Sequence, residues 1–384
     1  VTKFYSVARG GVRTYLDAKV QDFAGRDLEH AVVIPGARNE LTVQGRTRIY
    51  RIGGPVVPGS PNYRLIVNAA ALARIIAVER PHVIEVGSPF LVPWLVLRAI
   101  RGRAVRTVGF YHSDLVRTYA EPMVPSRLGA PLRVLTRNLA RAYVRNLYGH
   151  FDVTIAASPA VTIELRELGV RDVRYVPLGV DIDVFSPCDR DRSWLRQQLG
   201  IGSSRPIALF AGRLCAEKRL DVVLDALPRI GPQERPHLVL VGDGPVRATI
   251  ESASARPAHV SILPFIGDRH ELARVYRAAD FYVAAGPGET FGLAIAEAMA
   301  CGLPVVCVDR GAAPDRVRGS GCAELYRHGD AESCASALRR MASRLSPDLR
   351  AAASRHVAAH CGWQRTFDRL VNVYDELARG YVTA

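Results

Sequence analysis

The sequence predicts an α/β protein built from two parallel-sheet domains, and three observations lead there. At 384 residues and 48% hydrophobic content, the chain is long enough for two ordinary α/β domains. Short apolar segments alternate with longer amphipathic ones along most of its length, the pattern of βα units. Near the middle, Val180-Asp-Ile-Asp-Val-Phe-Ser-Pro187 and the polar stretch to about Ser204 carry Pro, Asp and Ser punctuation without a long apolar run. The expected domains are therefore residues 1–184 and 185–362. Residues 363–384 hold an amphipathic helix, Trp363–Tyr381, with no strand after it; this helix is expected to pack back on the first domain.

Taken in order, apolar runs predict strands in the first half at Lys3–Val7, His30–Ile34, Ile49–Ile52, His82–Val86, Thr107–Tyr111, Val153–Ala156 and Val173–Val176. The intervening helices include Val12–Phe23, Tyr63–Glu79 and Leu132–Tyr148. In the second half, strands fall at Ile207–Ala211, His237–Val241, Val260–Pro264, Phe281–Ala284 and Pro304–Val308. Helices are expected to start near Arg219, Pro245, Arg269 and Phe291. There is no internal repeat and no low-complexity tract.

Composition narrows the function classes. No apolar run reaches the roughly 18 residues needed to span a bilayer, and no stretch has the form of a signal peptide. A cytoplasmic location is expected. The most hydrophobic stretch, Phe90–Leu97, precedes a basic cluster from Arg98 to Arg106, which reads as a buried helix or as a surface that touches lipid. Seven cysteines form no CxxC pair, so neither a zinc site nor a disulfide framework is expected. The formal charge is +14. Residues 1–185 hold 25 basic and 15 acidic residues, so most of the excess lies in the first half. Only Lys3, Lys19 and Lys218 are lysines; in so arginine-biased a chain, a lysine at 218 stands out.

Five segments could carry chemistry. Gly10-Gly11 follows the first strand and precedes a helix, where backbone N–H groups can approach an anion; a plain tight turn is the competing reading. His112-Ser113-Asp114 ends another strand, at the edge where open α/β sheets form ligand crevices, although Ser113 or Asp114 could simply cap a helix. Arg213 and Lys218 also follow a strand and can converge on one anion. Gly242-Asp-Gly-Pro245 reads as a turn into a helix with Pro245 at its first position. The fifth segment is Gly286-Pro-Gly-Glu-Thr-Phe-Gly-Leu-Ala-Ile-Ala-Glu297. Here a glycine-rich turn presents Glu289, and a helix starting near Phe291-Gly292 carries Glu297. At 1.5 Å per helical residue the two carboxylates are at most roughly 12 Å apart, with a helix N-terminus between them. Such an arrangement could hold the hydroxyls at both ends of a sugar–diphosphate–nucleoside. The absence of GxGxxG after the first strand counts against a nicotinamide enzyme.

In order and spacing, these sites resemble the retaining glycosyltransferases of family 4 over nearly the whole chain. The strongest element is the E-x7-E pattern, Glu289 to Glu297, followed by Ala298-Met-Ala-Cys-Gly-Leu-Pro-Val-Val306. The resemblance implies a GT-B fold of two Rossmann-like, doubly wound domains facing a cleft. It also implies that Arg213 and Lys218 hold the donor diphosphate, and that Glu297 binds the ribose. Glu289 would bind the transferred hexose, with amides near Phe291 and Gly292. Phe265 and Ile266 would lie by the base, Gly10 and Gly11 by the phosphate–sugar region, and His112 beside the reacting sugar. The family uses no metal here. Asp181-Ile-Asp183 has the Asp-x-Asp form but lies in the hinge segment.

The expected reaction is retaining transfer of a hexose, mannose favoured, from a nucleoside-diphosphate sugar to a lipid-linked or saccharide hydroxyl. A UDP-glucose-type glucosyltransferase, a nucleotide-sugar 2-epimerase and an inactive binding paralogue are the alternatives. Arg133, Arg137, Arg141 and Arg145 recur every four residues beside Leu132, Leu135 and Leu139. Such a helix could lie on an anionic membrane surface at the inner face of the cell membrane; an exposed arginine-rich surface helix in an arginine-biased chain is the competing reading. No nucleic-acid-binding motif is present.

Overall fold

The computed structural model describes residues 1–2, 10–57, 60–120, 129–188, 193–202, 204–252 and 259–382, with side chains left out at 60–62 and 381–382. The expected first strand, Lys3–Val7, lies outside the described residues. The chain forms two compact units: Val1–Leu178 with Trp363–Ala384, and Gly179–Gly362.

The first unit runs α1 (Gly11–Phe23), β1 (His30–Gly36), β2 (Glu40–Gln44), β3 (Thr47–Gly53), β4 (Val56–Val57), β5 (Ser60–Arg64), α2 (Ala69–Glu79), β6 (Val83–Val86), α3 (Leu91–Ala99), β7 (Arg106–Tyr111), α4 (Gly129–Tyr148), β8 (Val153–Ala156), α5 (Pro159–Glu167) and β9 (Val173–Tyr175). Strands β6-β7-β8-β9 form a parallel sheet in chain order. A second sheet has the order β1-β3-β2, with β2 antiparallel. Thr2 donates to the Val33 carbonyl at 3.2 Å and Gly87 donates to the Val1 carbonyl at 3.1 Å, so the first two residues run between β1 and β6. The core is aliphatic, with Leu72, Val96, Val144 and Leu147 fully buried. Onto this unit packs the C-terminal helix, Trp363–Val382, whose Phe367 and Leu370 are buried.

The second unit runs α6 (Ser193–Leu199), β10 (Ile207–Ala211), α7 (Leu220–Ala226), β11 (His237–Val241), α8 (Arg247–Ser252), β12 (Val260–Leu263), α9 (Arg269–Ala278), β13 (Phe281–Ala284), α10 (Leu293–Ala300), β14 (Val305–Val308), α11 (Ala313–Val317), β15 (Ala323–Tyr326), α12 (Ala331–Arg344) and α13 (Pro347–His360). Its six strands are all parallel, in the order β12-β11-β10-β13-β14-β15. Counted from β10 this is 3-2-1-4-5-6, the doubly wound order whose direction reverses between its first and fourth strands. That reversal, between β10 and β13, places a crevice at their carboxyl ends. Both strands are buried at every residue, as expected for a sheet covered on both faces.

Several expectations need correction. The domain boundary falls at the Leu178–Gly179 peptide rather than after Val184, because the segment from Asp181 to Ser186 is bound to the second unit. Asp181 accepts from Arg269 at 3.0 Å, and Arg277 donates to the carbonyls of Val184 and Ser186 at 2.6 and 2.8 Å. Phe185 is buried against Tyr276. The helix expected from Tyr63 starts at Ala69 instead. Asn68 accepts from the Ala71 N–H at 2.9 Å and caps it, while Ser60–Arg64 is strand. Pro245 is not the first residue of a helix; it sits in a turn, and α8 begins at Arg247. The hairpin strand β2, the edge strand β15 and the helices α11 to α13 were not legible in the apolar pattern. The first two are short and partly exposed, with the burial patterns of sheet edges.

Candidate active site

The switch point gathers three of the sequence-predicted segments. After β10 the chain turns at Gly212, and β10 and β11 keep pairing beyond their ends: Gly212 donates to Val241 and Leu214 donates to Asp243, both at 2.9 Å. This approach requires glycine at 242, where φ is +142° and a Cβ would lie 2.0 Å from the Gly212 carbonyl oxygen. Arg213 is exposed at this turn, and Lys218 ends a short 3-10 turn, Ala216–Lys218.

After β13, the loop 286–292 folds against that turn. Lys218 Nζ donates to Glu289 Oε1, and both side chains are about three-quarters covered. Burial works against the lysine's charge, but the Glu289 carboxylate outweighs it and leaves the pKa above the ordinary lysine value. The loop is also held from behind, where Ala312 donates to the Glu289 carbonyl at 3.0 Å. The sequence separates the roles of Lys218 and Glu289, whereas the fold places them in direct contact.

Gly292 caps α10 with φ +80°, a left-handed conformation that suits glycine. Phe291 before it is buried beneath the Arg316 guanidinium. Further along α10, Glu297 is half-buried. Burial pushes its pKa up to about 7, against the opposing charge of Arg269 and a hydrogen bond from Tyr276. That bond runs from the Tyr276 hydroxyl to Glu297 Oε2 at 3.3 Å. Phe265 and Ile266 follow β12, with Phe265 48% exposed.

The remaining predicted residues belong to the first unit. Gly10 is the extended N-cap of α1 and Gly11 its first residue, with open space around a Cβ built at Gly10. His112 stacks on Phe110 at 3.9 Å and 6°. Desolvation pulls its pKa down to about 4, partly offset by Glu85, so its ring is neutral near pH 7. Asp114 accepts from the Arg117 N–H at 3.0 Å and pairs with its guanidinium, the capping reading of that segment. Asp181 is engaged by Arg269 and by the N–H groups of Asp183 and Val184.

Sequence reasoning missed Arg316 and Tyr276. An arginine carries no contrast in an arginine-rich chain, and a tyrosine on a core helix face reads as packing.

Two family descriptions match the chain: Glycosyltransferase Family 4 over residues 9–184 and Glycosyl transferases group 1 over residues 205–344. A GDP-mannose-dependent alpha-(1-6)-phosphatidylinositol dimannoside mannosyltransferase of Mycobacterium tuberculosis is 31% identical over 376 residues, covering 95% of this chain and 92% of the relative. The chain belongs to the family 4 glycosyltransferases. Among solved structures, this glycosyltransferase resembles sucrose-phosphate synthase from Thermosynechococcus elongatus, with a TM-score of 0.79 at 21% identity over 98% of this chain and 97% of that one. It also resembles the catalytic domain of starch synthase IV from Arabidopsis thaliana, with a TM-score of 0.71 at 16% identity over 100% and 98%. Its fold is GT-B, and the enzyme is a hexosyltransferase.

Proposed function

We propose that this glycosyltransferase moves a hexose, mannose in preference, from a nucleoside-diphosphate donor to a hydroxyl of a lipid-linked or saccharide acceptor, with retention at the anomeric carbon and without a metal ion. The observation that carries the donor reading is the Lys218–Glu289 pair at the β10/β13 switch point, in the loop that leads to Glu297. Mannose is favoured by the GDP-mannose dependence in the name of the mycobacterial relative.

Lys218 and Arg213 meet the diphosphate, together with the free N–H groups that open α10. Glu289 accepts from hydroxyls of the hexose and Glu297 from the ribose, while Phe265 and Ile266 flank the base. Gly10, Gly11 and His112 are assigned to the phosphate–sugar region and the transferred sugar, as the family resemblance implies. In the reaction the bond from C1 to the phosphate oxygen breaks, and its electron pair stays with the diphosphate. An acceptor oxygen bonds C1 on the same face, and its proton passes to a phosphate oxygen. Fixed positive charge where the leaving group gains negative charge lowers the barrier.

A thermal-shift panel of GDP, UDP and their sugars tests the donor. A ligand at 100 times its Kd stabilises by about 2.7 kcal/mol. Stabilisation by GDP and GDP-mannose is expected; a response to UDP and UDP-glucose alone replaces mannose with glucose, and no response to any nucleotide removes the reading.

A lipid-linked acceptor is supported by α4, whose first half exposes Leu132, Val134, Leu135 and Leu139 beside Arg133 and Arg137. Apolar side chains flanked by arginines suit an anionic lipid surface. No helix among the described residues is long and apolar enough to cross a membrane. Sedimentation with vesicles that does not depend on anionic lipid would remove membrane contact from the proposal.

A further inference from the structure

Arg316, on α11, is 5% exposed, and no carboxylate pairs with it among the described residues. Its guanidinium carbon lies 4.1 Å from the centroid of the Phe291 ring. Nη1 donates to Cys361 Sγ at 2.8 Å, and Nε is buried with no partner. A buried cation without an anion is costly, and an aromatic face and a sulfur offset only part of that cost. The placement gives this arrangement its meaning. Phe291 immediately precedes Gly292, the left-handed cap of α10, so fixing the ring fixes the peptide that opens the helix. On the other side, the Cys361 carbonyl accepts from Val180 at 2.7 Å, and Val180 bridges Gly362. These residues adjoin both points where the chain passes from one unit to the other. Lys218, Gly311 and Ala312 bear on the loop at Pro287 and Glu289, whereas Arg316 bears on Phe291.

We propose that Arg316 is a positioning residue for donor binding, holding Phe291 and the first N–H groups of α10 in register with the paired segments at Val180 and Cys361. The inference rests on the donor reading of the loop 286–292.

Calorimetric titration of the full chain with GDP and with UDP, alongside steady-state kinetics, tests it. Arg316→Met keeps the length of the side chain and removes the charge. It is expected to raise the Kd of the nucleotide that binds wild type, and the donor KM, roughly 10-fold, equivalent to about 1.4 kcal/mol, with acceptor KM unchanged. Arg316→Lys restores a cation over the ring and is expected to bring Kd back within about 3-fold of wild type. An Arg316→Met Kd within about 2-fold of wild type overturns the proposal, as does an equal rise in acceptor KM, the mark of general loosening. Should Arg316→Met fold poorly, Phe291→Leu removes the ring instead, and unchanged donor affinity there overturns the proposal too. A wild-type chain that binds neither nucleotide defeats the donor reading itself, a result distinct from nucleotide binding that ignores Arg316.

Discussion

Two lysine–glutamate pairs, one in each unit, use the same chemistry for different ends. In the first unit, Lys19 is 4% exposed and donates to Glu85 at 3.1 Å. Tyr15 lies 3.0 Å from both Glu85 oxygens as donor, and Tyr374 of the C-terminal helix donates to one of them. Lys19 also donates to both tyrosine hydroxyls. Desolvation works to raise the Glu85 pKa, but the Lys19 charge and the Tyr374 hydroxyl outweigh it and bring it down to about 2. Lys218 and Glu289, by contrast, hold each other and remain partly open at the switch point. A saturated pair fixes the fold, here α1, β6 and the C-terminal helix. A pair with unfilled hydrogen-bonding capacity at a sheet's carboxyl edge is suited to a ligand.

The contrast can be broken in three ways, in descending size. Lys19→Met leaves a buried carboxylate without its cation and is expected to cost about 3–5 kcal/mol of stability in urea unfolding. A loss below about 1 kcal/mol would mean that the tyrosines alone satisfy Glu85. Lys218→Ala should retain the circular dichroism spectrum and most of the melting temperature yet lose transfer by about 100-fold or more, roughly 2.7 kcal/mol. Wild-type turnover by that folded variant would end the assignment of Lys218 to the diphosphate.

The third test uses Glu297, shifted in the opposite direction from Glu85. Its folded pKa of about 7 lies above the ordinary value of 4.5, so the folded state retains a proton that the unfolded chain releases. Stability from this group therefore falls as pH rises from 4.5 to about 7, and the full cost applies above that. Glu297→Gln is expected to stabilise the nucleotide-free enzyme by about 2 kcal/mol at about pH 8.5 and by nothing at about pH 4. A pH-independent difference in urea midpoints would show that the carboxyl is not shifted. For Glu85 the sign reverses, and its contribution is present above pH 4.5 and lost as pH falls toward about 2.

Much of this was legible in the sequence because the signals are local. Apolar runs located every strand of the two main sheets except β15, and strand ends marked Arg213, Lys218 and Glu289. The lone lysine in the second half stood out for its rarity. Less local features were hidden. The end of the first unit depends on Arg269 and Arg277 gripping a segment some ninety residues away, and no spacing announces that. Tyr276 beneath Glu297 and Arg316 behind Phe291 are ordinary residues in their own helices, and only packing gives them a partner.

The sequence by itself determined the class of the protein: βα alternation, two domains and glycines where strands give way to turns. These are properties of neighbours along the chain. The tertiary structure alone decided the 3-2-1-4-5-6 strand order, the direct Lys218–Glu289 contact, the Lys19 and Tyr374 contacts that bring Glu85 down to about 2 and the burial that raises Glu297 to about 7. Each of these depends on how much water, and which distant side chain, surrounds a group once the chain has folded.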